Sequence, residues 1–260
     1  MDLSAVTIVV PTKNERGNIG RFLASLRPEI PLIVVDASAD DTSEIVRRLR
    51  PSGTTILSDS GGIAASRQLG GDLVMTEWIL FTDADVEFER SYFETLRRLR
   101  TSPEWGGIVG AKSSRGGYRG YYRIFALANR ILTACGIPAA TGSNMIVRTT
   151  AFWDAGGFDP SLKVNEDSEL MWRVRRSGWK VVYQGNLKVF EVDHRRLDRG
   201  VLRKTVHSLV RCALLFGGLF PRSMRVNDWG YWRVKPAIRS PWHRPAGRDL
   251  ETSDSLTYCL

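Results

Sequence analysis

The chain has 260 residues, 43% hydrophobic and 25% charged, which allows one large α/β domain or one domain with a small extension. Its formal charge of +9 points to a polyanionic partner: nucleic acid, an anionic membrane face or a phosphate-bearing substrate. Three scattered cysteines, Cys135, Cys212 and Cys259, exclude a disulfide framework and a zinc spacing, so a reducing, cytoplasmic setting is expected. Neither a signal peptide at Met1-Asp2-Leu3-Ser4 nor a membrane-spanning apolar run is expected.

The first predicted element is a strand at Ala5 to Val10, β-branched and apolar throughout and ended by Pro11. A helix follows from Asn14, its cap, to Leu26, with Ile19, Phe22, Leu23 and Leu26 on one face. Leu32 to Val35 is a second strand ending at Asp36. Asp40 or Asp41 caps a helix through Ile45, Val46 and Leu49. Thr54 to Leu57 is a third strand, and Gly61-Gly62 opens a helix from Ala64 to Leu69. Trp78 to Phe81 is a fourth strand. Strand and helix alternate four times in this stretch, which implies a mostly parallel sheet covered by helices, with right-handed crossovers.

Further on, helices are expected at Tyr92 to Leu99, Tyr121 to Leu132 and Thr149 to Ala155. Strands are expected at Gly107 to Ala111 and Asn144 to Arg148. Gly156-Gly157-Phe158-Asp159-Pro160 reads as a turn, and Asn165 caps a helix ended by Gly178. Lys180 to Tyr183 and Leu187 to Val192 read as two more strands. From Asp193 to Leu250 there are thirteen basic residues against four acidic ones, a surplus equal to the charge of the whole chain. Within it, Val206 to Phe220 is apolar, helical in pattern and too short to span a bilayer. It fits either an amphipathic helix on an anionic membrane face or a helix packed on the main domain.

Asp83-Ala84-Asp85 closes the apolar run Trp78 to Phe81 and so delivers two carboxylates to the carboxyl edge of the sheet, where open α/β sheets bind ligands. Two hard oxygen donors there suit a divalent cation held partly by substrate phosphates.

Five features stand in order: Val9-Val10-Pro11-Thr12-Lys13-Asn14-Glu15; Val34-Val35-Asp36-Ala37-Ser38; Arg67; Asp83-Ala84-Asp85; and Gly156-Gly157-Phe158-Asp159 with Asn165-Glu166-Asp167. Together they resemble the family 2 glycosyltransferases of GT-A fold over roughly residues 3 to 194. The resemblance implies a Rossmann-like, mostly parallel central sheet in a catalytic domain at 1–198, with a nucleotide-sugar half at 1–100 and an acceptor half at 101–198. Beyond it, composition leads to the expectation of a basic helical extension with a flexible tail at 199–260. The resemblance also implies that Pro11, Thr12, Glu15 and Asp36 hold the nucleoside of a UDP- or GDP-sugar, although a second acid common after Asp36 is replaced by Ala37. Arg67 would approach the diphosphate. Asp83 would reach the ribose or metal-bound water, and Asp85 would ligate Mn²⁺ or Mg²⁺. His194 is a further metal candidate, and Arg195 and Arg196 could contact the diphosphate. Asp167, with Glu166 next, would be the base toward an acceptor hydroxyl. Thr141-Gly142-Ser143-Asn144 reads as an acceptor-side loop or a plain turn.

The resulting expectation is an inverting, metal-dependent transferase acting on a glycan or lipid-linked acceptor, cytoplasmic or peripheral on the cytoplasmic membrane face. The Q-x-x-R-W motif of processive synthases is missing. A polyprenyl-phosphate sugar transferase is the near alternative, a nucleotidyltransferase or a non-catalytic basic module the distant ones. A nucleotidyltransferase lacks support because the first loop is not glycine-rich. Nucleic-acid binding lacks a zinc spacing or an aromatic RNA-binding signature.

Overall fold

The computed structural model describes residues 1–192, together with 205 and 210. His194, Arg195, Arg196 and the helix expected at Val206 to Phe220 therefore lie outside the description. Every element below belongs to Met1–Asp228, one of two compact units in the chain.

Eight strands form one sheet in the order β3-β2-β1-β4-β7-β6-β8-β5. They are β1 Val6–Thr12, β2 Leu32–Asp36, β3 Thr54–Ser58, β4 Trp78–Thr82, β5 Val86–Phe88, β6 Trp105–Ser113, β7 Asn144–Arg148 and β8 Lys180–Glu191. The helices are α1 Ile19–Ala24, α2 Thr42–Leu49, α3 Ile63–Asp72, α4 Tyr92–Arg98, α5 Arg119–Ala134, α6 Thr149–Asp154 and α7 Glu166–Arg176. Strands β3, β2, β1 and β4 run parallel, and β6 and β8 are also parallel. β7 pairs antiparallel with β4 and β6, and β5 pairs antiparallel with β8.

The apolar runs become strands buried on both faces. Val6, Ile8 and Val10 of β1, with Leu32, Val34 and Leu80, point to one side and pack against Phe22 of α1, Val46 of α2 and Leu96 of α4. Val9, Ile33, Val35, Ile79 and Phe81 point to the other side and meet Phe152 of α6 and Leu170, Met171 and Val174 of α7. This is the period-two alternation of a central strand. Chain order turns back between β1 and β4, so the crevice at their carboxyl ends is the natural ligand position.

Several expectations are corrected. β1 continues through Pro11 to Thr12, which places Thr12 opposite Asp36 on β2. Asn14 does not cap α1. It sits at φ 57°, and its side-chain oxygen accepts the Ala39 N–H at 2.9 Å while its own N–H donates to Ser38 Oγ at 2.7 Å. The loop after β1 is thereby tied to the loop after β2, and α1 starts later, at Ile19. The strands expected at Lys180 to Tyr183 and Leu187 to Val192 are one strand, β8, whose register against β6 jumps between Gly110 and Ala111. Gly185, Asn186 and Leu187 are left over at that bulge, between the Gly110–Gln184 and Ala111–Lys188 partners.

Asn144, at the start of β7, ties the sheet together. It donates to the Ala111 and Leu187 carbonyls at 2.9 and 3.0 Å and accepts from the Tyr92 hydroxyl at 2.7 Å. Asn144→Ala would orphan three buried polar groups, so a loss of about 2–3 kcal/mol is expected. Urea unfolding measures it; an unchanged midpoint would show that the knot carries no stability.

Candidate active site

The site residues expected from the sequence fall into two groups. The first lies at the ends of β1 and β2. Asp36 Oδ1 accepts from Thr12 Oγ1 at 2.6 Å and from Ser38 through both its Oγ, at 2.5 Å, and its N–H, at 3.2 Å; Ser43 Oγ donates to Oδ2. Burial pushes the Asp36 carboxyl up, but these hydroxyl donors outweigh it and hold the group below the usual range. It is therefore an ionised acceptor encircled by hydroxyls. Glu15 bends toward the same loops: its Oε2 accepts from Asn18 Nδ2 at 2.7 Å and its N–H donates to Thr42 Oγ1 at 3.0 Å. Pro11 is half-buried beside Thr12.

The second group gathers at the end of β4 and the start of α7. Arg67 comes from α3, which lies close on the sheet because Gly70 has no side chain; a Cβ there would fall 2.4 Å from Val9. The Arg67 side chain is 2% exposed. Nη2 donates to Asp83 Oδ1 at 2.6 Å, and Nη1 donates to Glu166 Oε1. The fork is thus turned onto two protein carboxylates, where the sequence suggested a direct approach to a diphosphate. Gly142 is the floor beneath it, since a Cβ there would stand 2.2 Å from the guanidinium.

Asp83 is held from its other side by Ser143 Oγ, which donates to Oδ2 at 2.6 Å. Lys112 Nζ in turn donates to Ser143 Oγ at 3.0 Å. The segment Thr141-Gly142-Ser143-Asn144, read from the sequence as an acceptor-side loop or a plain turn, therefore braces Asp83 directly through Ser143. Asp167 Oδ2 accepts the Gly142 N–H at 2.7 Å and Oδ1 accepts the Ser168 N–H at 2.6 Å. Asn165 precedes the helix in the left-handed region at φ 59°, a conformation asparagine tolerates better than most residues. α7 is fixed by Arg173, which binds Glu169 through Nε at 2.7 Å and Nη2 at 2.6 Å and also donates to the Ala155 carbonyl before Gly156-Gly157.

Burial pushes the Glu166 carboxyl up to about 7 despite the pull of Arg67, and neighbouring Asp167 adds to the rise. Burial also raises Asp167, again against Arg67. Glu166 is 5% exposed and engaged by Arg67, whereas Asp167 is half-buried. Asp167 is the carboxylate better placed to meet another molecule.

Asp85 stands in the turn between β4 and β5, its carbonyl accepting the Val192 N–H at 3.0 Å. Nearby, Tyr122 of α5 donates to Glu191, which also pairs with Lys112 at 3.2 Å. Burial, then the charge of Glu191, and to a lesser degree that of Asp85, push the Tyr122 hydroxyl up. This Lys112–Glu191–Tyr122 chain was not anticipated; a buried Glu at the end of an apolar strand was its one local sign.

No cluster of three or more His, Cys, Asp or Glu among the described residues forms a metal cage. Asp83, directly after β4, and Asp85, in the turn that follows, supply two hard oxygen donors. The Asp83 side chain, bonded to Arg67 and Ser143, is 26% exposed and so can be reached from solvent. Such a pair fits a divalent cation that completes its shell with phosphate and water, and does not fit a closed structural site.

Known proteins match this architecture. Two are curated relatives: a "Pre-mycofactocin glycosyltransferase" of Mycobacterium tuberculosis (25% identical, covering 78% of this chain and 46% of the relative) and the "Succinoglycan biosynthesis protein ExoA" of Rhizobium meliloti (26% identical, 67% and 59%). The chain thus spans about half the length of the curated relatives it matches. Among solved structures, the mannosyltransferase PcManGT from Pyrobaculum calidifontis in complex with GDP-Man and Mn²⁺ aligns with a TM-score of 0.62 at 21% identity, covering 75% of this chain and 60% of that one. S. aureus TarS 1-349 in complex with UDP-GlcNAc aligns at 0.57 and 20%, covering 70% and 56%. These likenesses show the GT-A fold. The sequence model described as "Glycosyl transferase family 2" matches residues 7–156, more than half of the chain, and the chain belongs to that family.

Proposed function

We propose that this protein is an inverting glycosyltransferase that moves a sugar from a UDP- or GDP-sugar to a hydroxyl of a glycan or lipid-linked acceptor, with Mn²⁺ or Mg²⁺ as cofactor. One juxtaposition carries the reading. A single buried guanidinium, Arg67, joins the acid at the end of β4, Asp83, to the acid that opens α7, Glu166. Donor-side and acceptor-side carboxylates are thereby held at one place.

In this reading Thr12, Glu15 and Asp36 hold the nucleoside, with Pro11 shaping the loop. Asp83 and Asp85 hold the cation, which when bound neutralises charge on the departing nucleoside diphosphate. Arg67 acts through Asp83 and Glu166 by fixing their orientation. The acceptor oxygen bonds to the anomeric carbon as the bond from that carbon to the phosphate oxygen breaks. The hydroxyl proton passes to Asp167, and a single displacement inverts the anomeric centre. The structures with GDP-Man and Mn²⁺ and with UDP-GlcNAc support the donor class by analogy.

The test is product analysis with UDP- and GDP-sugars, acceptor alcohols and Mn²⁺. Release of nucleoside diphosphate with a glycoside of opposite anomeric configuration is expected. Release of pyrophosphate would instead make the protein a nucleotidyltransferase. The raised Glu166 and Asp167 carboxyls add a pH expectation. Transfer requires a deprotonated base, so the rate should rise with pH along a limb above the ordinary carboxylate range, set by the pair together. A profile flat there would separate these acids from the proton transfer.

A further inference from the structure

Helix α5, Arg119–Ala134, exposes aliphatic side chains along one stripe: Ile124 is 72% exposed, Leu127 57% and Ile131 53%. Spacings of three and four residues place them on one face. Arg123 and Arg130 flank that face, and both are exposed. No Asp or Glu occurs anywhere in the helix. Past Arg130, α5 borders a cavity of about 390 Å³ that also carries Arg175 and Lys180 and has no carboxylate in its lining.

We propose that this face of α5 docks on an anionic lipid surface, the aliphatic stripe entering the acyl boundary and the arginines meeting lipid phosphates. Charge selects this occupant over two others. The segment Asp193 to Leu250 of the same chain carries thirteen basic residues against four acidic ones; only its apolar stretch Val206 to Phe220 could cover the stripe, and that would set Arg211 and the flanking cations among the α5 arginines. A second copy docked through the same stripe would oppose arginine to arginine. An anionic bilayer satisfies both halves of the pattern. The placement also serves the site: Tyr122 in the first half of α5 is bonded to Glu191, close to the Asp85 turn. A helix lying on the lipid would bring the Asp85 edge toward acceptors held in that surface. The docking itself stands whether or not the transferase reading does.

The test is cosedimentation of the full chain with vesicles of phosphatidylcholine alone, or mixed in equal parts with phosphatidylglycerol. Binding is expected only to the mixed vesicles, weakening with salt. Leu127→Glu and Arg123→Glu should each weaken it by about tenfold or more. Met75→Glu, at an exposed aliphatic residue outside α5, should leave it unchanged. Circular dichroism and nucleotide binding check that each variant is folded. Absent binding to mixed vesicles, or equal binding by Leu127→Glu, overturns the proposal. So does a dimer in analytical ultracentrifugation that Leu127→Glu dissolves. A cross-link from position 127 to residues beyond 192 in vesicle-free protein, without vesicle binding, also overturns it.

Discussion

Asp167→Asn should reduce sugar transfer by about a hundred- to ten-thousandfold while leaving donor affinity nearly unchanged. The reason is geometric. Asp167 opens α7 with one oxygen on the Gly142 N–H and the other on the Ser168 N–H, so its position is set by backbone donors. An asparagine oxygen can retain one of those bonds, but the amide cannot take a proton. The residues proposed to hold the donor, Thr12, Asp36, Asp83 and Asp85, are untouched. Glu166→Gln should behave differently. It breaks the ion pair with Arg67 and so disturbs Asp83 as well, lowering donor affinity together with the rate. Steady-state kinetics with a saturating acceptor, beside direct titration of the donor, distinguishes the two. Normal turnover by Asp167→Asn would remove it as the base.

Arg67→Met should have the largest effect on stability. Removing the cation leaves Asp83, Glu166 and Asp167 close together without their common counter-ion, and breaking a buried pair in this way costs about 3–5 kcal/mol. Arg67→Lys should rescue only part, because one ammonium cannot reproduce a fork that serves two carboxylates. The loss should depend on pH in a definite direction. Burial raises Glu166 and Asp167 above their unfolded values even with Arg67 present. Without Arg67 they rise further. A carboxyl with a raised folded pKa binds its proton more tightly when folded. Its stabilising contribution is therefore present at low pH and lost as pH rises through the folded value. Arg67→Met should accordingly approach wild type in mildly acidic buffer and fall away above about pH 7. Urea midpoints across that range measure it; a deficit independent of pH would mean that lost packing, not unpaired charge, is responsible.

The parallel half of the fold was legible because its strands are buried on both faces and read as unbroken apolar runs, as at Val6 to Val10 and Trp78 to Phe81. Local chemistry was less reliable where tertiary contacts override it. Asn14 has the composition of a cap yet serves as a staple between two loops. Gly185-Asn186 has the composition of a turn yet lies in a bulge within β8. β5 escaped notice because three residues, with Glu87 in the middle, carry too little pattern.

Within the site, the acids could be picked out from position alone: Asp36 ends β2, and Asp83 follows β4. Their partners could not. Nothing near Arg67 announces that it meets Glu166, 99 positions away, since that pairing is made by α3 and α7 packing on the same side of the sheet. The bracing of Asp83 by Ser143, and of Ser143 by Lys112, is non-local in the same way.

Strand-end carboxylates gripping a divalent cation together with the donor's two phosphates are the centre of the proposed mechanism. Thermal unfolding with UDP or GDP, in Mn²⁺ and again in chelator, tests this most directly. One of the nucleotides should raise the melting temperature of the wild type only when metal is present, and Asp85→Ala should abolish the rise. An equal rise in chelator, retained by Asp85→Ala, would contradict it.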